Sequence, residues 1–309
     1  MKTVLLTGAT GFLGSYIAGE LVSNGFKVIA LKRATSDTFR CDVFKDKIEW
    51  LDCDNLNEIE SLIIQSKPEM LIHVAWNGVK VEDRDNREEQ QKNILFLNSL
   101  LDIVKKTGIK KIIALGSQAE YGYFEGAVDE DYPLHPVTAY GSAKVSVSSD
   151  LKTFAEQHKI EWYWIRLFSI FGPGEDAKWL FPTVIKNLIE QKETPLTLCE
   201  QKYDYLYVKD FARGILNVAR CENDFSGFYN FSGNNSVKIK DILLLLEKRL
   251  STGKKILLFG ELPYRPNQVM HMEGNSSRFY SAFKFKPVYE MTEGLNETID
   301  YYLSQSDTK

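Results

Sequence analysis

Residues Thr3 to Thr7 are apolar or β-branched, and a glycine follows at once. Such a run suits a strand buried on both faces. Gly8, Gly11 and Gly14 come next in a G-x-x-G-x-x-G spacing, while Phe12, Leu13, Tyr16, Ile17, Leu21 and Val22 recur at helical intervals. A strand, a glycine turn and a helix in immediate succession are what a dinucleotide site needs. Gly8 permits the sharp turn, Gly11 lets the backbone approach a pyrophosphate, and Gly14 lets the helix pack close to the strand. The helix N-terminus then faces the negative charge. An ordinary strand-to-helix turn is the bland alternative, and the flanking elements favour the nucleotide site over it.

The alternation continues. Gly25 is placed to cap the first helix, and Lys27 to Leu31 reads as a second strand. The residue after that strand meets the adenosine ribose in dinucleotide folds, where an acid would bind the 2′-hydroxyl of NAD. Here Lys32 and Arg33 stand instead. Two cations suit a 2′-phosphate, so NADP(H) is expected, with NAD(H) as the alternative. Ile48 to Leu51 reads as a third strand ending at Asp52, which could accept from the adenine amine, with Cys53 beside it. Asp54 or Asn55 could cap the helix that follows, from Asn55 to Ile64. Met70 to Ala75 reads as a fourth strand containing His73, for which a buried, hydrogen-bonded role is favoured over catalysis. Ala75 and Trp76 then begin a loop at the carboxyl edge of the sheet, where ligands bind in open α/β folds. Arg87 to Lys106 is helical in pattern, and Lys111 to Leu115 makes a fifth strand. Strict β/α alternation over this half implies a parallel, doubly wound sheet.

Composition excludes several classes. Of 309 residues, 44% are hydrophobic and 26% charged, as in soluble globular proteins. A net charge of -4 offers nothing to nucleic acid or an anionic membrane. No apolar run reaches the length of a membrane span, and Met1 leads almost directly into a strand, so a cytoplasmic protein without a signal peptide is expected. Cys41, Cys53, Cys199 and Cys221 are scattered without metal-ligand spacing, so reduced thiols and no metal are expected.

Ser117 lies just past the fifth strand, and Tyr140 and Lys144 are four apart at the start of a helix running to about His158. A phenol titrates near 10, too high for a base at neutral pH. A nearby ammonium, together with an oxidised nicotinamide, favours its ionised form. Tyr140 can then pass a proton to a carbonyl oxygen, or take one from an alcohol, as hydride moves. Ser117 can donate to the same oxygen. Y-x-x-x-K alone arises often by chance; with the glycine motif and Ser117 it becomes specific.

These residues make the chain resemble the extended short-chain dehydrogenase/reductase family, in its nucleotide-sugar epimerase/dehydratase/reductase branch. The resemblance covers nearly all of the chain. It rests on Thr7 to Gly14, Asp52, His73-Val74-Ala75, Ser117 before Tyr121-Gly122, Tyr140 with Lys144, Arg166 to Gly174, and Asp204 to Asp210. It implies a Rossmann sheet, a Ser-Tyr-Lys site, a nucleotide-diphosphate sugar substrate and a homodimer paired through two long helices. It further implies that the backbone at Leu167 and Phe168 borders the nicotinamide. Trp76, Gln118, Glu120, Ser169, Tyr203 and Arg265 are the substrate-binding residues expected from it. Dehydratases of the family carry an Asp-Glu pair after the catalytic Ser/Thr. This chain has Gln118-Ala119-Glu120, a single acid one place later, so dehydration is not expected. Ser169 stands where many members have asparagine, and Tyr203 where many have a phosphate-gripping arginine. Arg265 and Arg278 are the replacements considered, with Arg213 read as structural.

Beyond a sixth strand, Glu161 to Arg166, the strict alternation ends. Helices are expected at Trp179 to Leu188, Val208 to Ala219, Ile239 to Leu250 and Glu293 to Leu303. Short strands are expected at Pro195 to Leu198 and Gly227 to Phe231, with a loop at Gly233 to Ser236. The expected architecture is therefore a doubly wound parallel sheet with a smaller mixed α/β C-terminal substrate lobe. Residues 1–170 would form the dinucleotide-binding domain and 171–309 the lobe, with later elements interleaved. Three functions fit. The first is NADPH-dependent reduction of a nucleotide-linked 4-keto-deoxy sugar. The second is an NAD-dependent 4-epimerase, and the third a non-catalytic NADP sensor, which the retained Tyr140 and Lys144 disfavour.

Overall fold

The computed structural model describes residues 2–222, 225–250 and 253–306. In chain order the first half comprises β1 (Thr3–Thr7), α1 (Phe12–Ser23), β2 (Lys27–Lys32), β3 (Ile48–Asp52), α2 (Leu56–Gln65), β4 (Met70–His73), α3 (Arg87–Val104), β5 (Lys111–Ser117), β6 (Gly126–Val128) and α4 (Ala139–His158). The second half comprises β7 (Glu161–Leu167), β8 (Ser169–Phe171), α5 (Leu180–Ile189), β9 (Thr194–Leu196), β10 (Lys202–Tyr207), α6 (Val208–Arg220), β11 (Gly227–Phe231), β12 (Ser236–Lys238), α7 (Ile239–Leu250), β13 (Leu257–Phe259), β14 (His271–Gly274), α8 (Ser277–Ala282) and α9 (Met291–Ser306).

The main sheet runs β11-β7-β5-β4-β1-β2-β3, and every ladder in it is parallel. The order reverses at β1, which places the carboxyl ends of β1 and β4 at the switch point where such sheets bind ligands. Successive β1 residues feed opposite cores. Val4 and Leu6 pack with Ile17 and Leu21 of α1 and with Phe211 and Ile215 of α6. Leu5 packs with Leu97 and Leu100 of α3 and with Val147 and Leu151 of α4. Burial on both faces is why β1 reads as an unbroken apolar run.

The smaller sheet runs β12-β10-β14-β6, and β8 pairs with the far end of β10. β13 and β9 make a separate pair. The two units are threaded through one another. β6, early in the chain, joins the second sheet, while β11 and α6, late in the chain, complete the first. A cut at residue 170 therefore leaves elements of each unit on the wrong side.

Helix ends follow local chemistry. Asn24 caps α1, and Gly25 follows at φ +79 with its N–H on Val22 O while Phe26 N–H reaches Leu21 O, the paired bonds that close a helix with a left-handed residue. Asn55 rather than Asp54 caps α2, accepting from Asn57 N–H at 3.2 Å. Some expectations are corrected. β4 stops at His73, so Ala75 is already in the loop. Ser117 is the last residue of β5. The segment expected as a loop at Gly233 to Ser236 ends by opening β12. The short strands β6, β8, β12, β13 and β14 and the one-and-a-half-turn α8 carry too few residues for periodicity to show.

Candidate active site

The glycine turn is built for close approach. Gly8 sits at φ +75, and a Cβ there would fall 2.7 Å from Ala75 N. A Cβ on Gly14 would fall 2.0 Å from Gly8 O. Gly11 N–H closes the turn onto Gly8 O at 3.0 Å, and Gly11 is the N-cap of α1 with no side-chain cap and no acid in the first turn. The first N–H groups of α1, at Phe12 and Leu13, are left without intrahelical partners at the positive end of the helix. That is the fit a dinucleotide pyrophosphate requires.

Thr7 and His73 hold the floor beneath it. The Thr7 hydroxyl accepts from Val74 N–H and Ala75 N–H, both at 3.1 Å, and lies 3.0 Å from His73 Nδ1. With both lone pairs used, the hydroxyl donates its proton to Nδ1, which places the imidazole proton on Nε2. His73 is buried and neutral, pushed down to about 3 first by burial and then by the charge of Lys144. It shapes the loop that begins at Ala75.

At the far corner of the sheet, β2 finishes on Lys32, which lies in register with Asp52 of β3. Arg33 is exposed just beyond. Cys53 N–H donates to Lys32 O at 2.8 Å, and Ala34 N–H donates to Asp54 at 3.2 Å. Lys32, Arg33, Asp52 and Cys53 thus come together at one sheet corner.

The expected Ser-Tyr-Lys residues converge at the end of β5 and the start of α4. Helix α4 begins on Thr138, whose hydroxyl accepts from Gly141 N–H at 3.1 Å. The loop before α3 supplies the other caps: Ala139 N–H donates to Asp85 at 3.1 Å and Tyr140 N–H to Arg84 O at 2.8 Å. Tyr140 is buried, and its phenol is hydrogen-bonded to the Ser117 side chain. Four residues on, Lys144 Nζ donates to Leu115 O at 2.7 Å. The ammonium sits among three rings, with centroids 3.5 Å away at Trp76, 5.7 Å at Trp164 and 5.9 Å at Tyr140. Ser117, Tyr140, Lys144 and Trp76 are therefore brought together. Trp76 is itself held, its indole N–H donating to Gln90 at 2.9 Å.

The electrostatics differ from the simple expectation of an acidified phenol. Burial pushes Tyr140 up, against the Ser117 hydrogen bond and the Arg84 charge that pull it down. Burial pushes Lys144 down to about 7, opposed by the carboxylate of Glu120. Desolvation outweighs the charges around each group, so Tyr140 is a protonated phenol at neutral pH. It stands ready to donate.

Other expected residues divide. Leu167 and Phe168 are buried at the end of β7, with Phe168 against Gly274 and Tyr121. Ser169, half-buried on β8, lies in register with Tyr205. Gln118 is half-buried beside Ser117, and Arg265 is exposed on the turn before β14. The Tyr203 hydroxyl donates to Val269 O at 3.1 Å and accepts from Gln268 at 2.7 Å. Glu120 is a correction. It is 0% exposed and ion-paired with Arg166 at 2.7 Å, so it offers no surface to a substrate. Arg278 is paired with Glu130 and Asp131, which neutralise it as a phosphate ligand, and Arg213 is paired with Asp210.

Two arginines were missed. The Arg84 guanidinium lies 5.5 Å from the centroid of Tyr140. Arg40 donates from Nε to Gly174 O at 3.1 Å and from a terminal nitrogen to Thr10 O at 3.5 Å, joining the glycine turn to the loop after β8. Both come from charged loop stretches without periodicity, which in sequence look like any solvated surface.

A family model described as the NAD dependent epimerase/dehydratase family matches residues 4–230. CDP-abequose synthase of Salmonella muenchen is 25% identical over 304 residues, covering 96% of this chain and 97% of that protein. dTDP-6-deoxy-L-talose 4-dehydrogenase (NAD(+)) of Aggregatibacter actinomycetemcomitans is 28% identical over 239 residues, covering 74% and 83%. The UDP-glucose 4-epimerase of Thermotoga maritima, solved with UDP-glucose, shares the fold at a TM-score of 0.87 and 21% identity, covering 98% of this chain and 99% of that one. No helix among the described residues is long and apolar enough to cross a membrane. With a glycine turn shaped for a pyrophosphate and a Ser-Tyr-Lys cluster at the sheet's carboxyl edge, the chain belongs to the NAD dependent epimerase/dehydratase family.

Proposed function

We propose that this protein reduces a nucleotide-diphosphate-linked 4-keto-deoxy sugar to the 4-hydroxy sugar, using NADPH. The observation that carries the reading is the state of Glu120. The lone acid among the three residues after Ser117 is buried against Arg166, so that turn presents no carboxylate able to draw water out of a sugar. Hydride exchange at a carbonyl carbon is the chemistry left to Ser117, Tyr140 and Lys144. The bound reduced cofactor supplies the hydride. Tyr140 gives its proton to the ketone oxygen, and Ser117 donates a hydrogen bond to the same oxygen as charge develops. Lys144 holds the cofactor ribose and favours the phenolate left behind, which regains a proton from solvent. The relative named as a dTDP-6-deoxy-L-talose 4-dehydrogenase carries hydride chemistry at the same sugar position in its name. Lys32 and Arg33 at the end of β2 support NADPH over NADH.

A 4-epimerase that retains NAD(H) is the second reading. It is favoured by Asp52, an acid in register beside Lys32 that suits unphosphorylated adenosine. An absorbance spectrum of the purified protein, followed by a panel of CDP-, dTDP- and UDP-linked 4-keto sugars assayed for NADPH loss, separates the two. Stoichiometric NADPH consumption with little copurified cofactor supports the reductase. Tightly retained cofactor with no net consumption overturns it. The same reading includes a homodimer paired through α3 and α4, with Leu95 of α3 and Val137 just before α4 both exposed; sedimentation equilibrium tests it.

A further inference from the structure

We propose that Glu120 is a positioning residue, a buried clamp that sets the places of Ser117 and Lys144 together, with Arg166 as its counter-ion. The proposal rests on the ketoreductase reading only for the turnover assay.

The clamp is visible bond by bond. Glu120 Oε1 accepts from Ser117 N–H at 2.8 Å, and Ser117 Oγ in turn accepts from Ala119 N–H at 3.2 Å, a reciprocal cap that fixes the backbone of the serine. Oε1 and Oε2 also accept from the Trp164 indole at 2.9 and 3.2 Å. That indole is one of the three rings around the Lys144 ammonium. Oε2 completes its set with Arg166 Nε at 2.7 Å. One carboxylate thus holds the serine backbone directly and the lysine through an aromatic plate. Gly116 makes room for it, since a Cβ there would lie 2.2 Å from the Trp164 nitrogen and 2.5 Å from Glu120 Oε1. Arg166 carries the tie onward. Its terminal nitrogen donates to the Tyr121 hydroxyl at 3.2 Å, and that hydroxyl donates to Asn230 at 2.6 Å on β11.

The clamp also sets charge. Toward Lys144 stand neutral His73 on β4, Tyr140 on its own helix, Glu120 on the loop and Arg166 beyond it on β7, while Arg84 faces Tyr140 from the loop before α3. Glu120 is the anion of this group. Its field favours the ammonium of Lys144 and the protonated phenol of Tyr140. Those are the two states a proton donor needs.

The test compares Glu120→Gln with Glu120→Gln/Arg166→Met in the full chain. The single variant leaves a buried guanidinium without its partner and loses stability; the double variant removes both charges and regains it. The clamp predicts kcat reduced roughly 10- to 100-fold in both, with KM within about twofold, as misplacement of reacting groups would give. It also predicts that the alkaline limb of kcat moves to lower pH in both. A near-ultraviolet titration of the Tyr140 phenol, taken as the difference from the same proteins carrying Tyr140→Phe, should move to lower pH as well. A folded double variant with wild-type kcat and unmoved titrations overturns the proposal. If the wild type turns over no keto sugar, the ketoreductase reading falls, and the phenol titration still decides the clamp.

Discussion

The Lys144 ammonium lies 3.5 Å from the centre of the Trp76 indole, closer than to the ring of its own helix neighbour Tyr140. A cation on an indole face is favoured by about 0.5–2 kcal/mol, more as water is excluded. That attraction works against the burial that brings Lys144 down to about 7. Trp76→Leu keeps the apolar cover and removes the quadrupole. Lys144 should then lose its proton more readily, and the alkaline limb of kcat/KM should move to lower pH by roughly 0.5–1 unit. A pH profile that does not move rules out this role for the indole.

Tyr140→Phe removes the phenol proposed as proton donor and leaves the ring in place. Turnover should fall by about 10²–10⁴-fold. Binding of NADPH, followed by quenching of tryptophan fluorescence, should be almost unchanged, because the glycine turn and the β2 corner are untouched. Substantial turnover in this variant would remove Tyr140 from the chemistry.

Arg33 stands exposed past the end of β2. If it grips a 2′-phosphate, Arg33→Ser should raise KM for NADPH about tenfold or more, the loss of one charge-assisted contact, while KM for NADH stays within about twofold. Equal effects on both cofactors would mean that Arg33 touches only what they share.

Glu175, in the loop after β8, lies beside Tyr205 and Tyr302, and its Oε2 is buried without a hydrogen-bond partner among the described residues. Burial, then the charge of Asp176, pushes it up to about 8 from an ordinary 4.5. The folded chain therefore holds this proton where the unfolded chain has released it. The contribution to stability is complete below about pH 4.5 and is lost as pH rises through 8. Glu175→Gln should be the more stable protein at pH 7, by about 1–2 kcal/mol after discounting for partial exposure, and by a few degrees in Tm. The gap should widen from pH 5 to 8 in thermal melts. A variant less stable than the parent at pH 8 would show a role for the carboxylate that its surroundings do not reveal.

The dinucleotide half was legible because its signals are local. The centre of β1, Val4 to Leu6, is apolar since both faces are covered, and the glycines of the turn follow from close approaches within a few residues or across one strand pair. The i, i+4 spacing of Tyr140 and Lys144 likewise needs only a helix. The second sheet was not legible, because strands of three or four residues such as β6, β12 and β14 are stabilised by neighbours far away in sequence.

The site divides along the same line. Residue type and spacing were enough to single out Ser117, Tyr140 and Lys144, which the fold brings together. Whether a charge faces a ligand or is consumed inside depends on what lies across the fold. Glu120 meets Arg166 and Trp164 only because β5 and β7 are adjacent, and Arg278 meets Glu130 only after α8 packs near the loop beyond β6. The protonation of Tyr140 was decided in the same way. Spacing along a helix sets which groups are neighbours, but desolvation is set by the whole surrounding shell, and here burial prevails over the neighbouring charge.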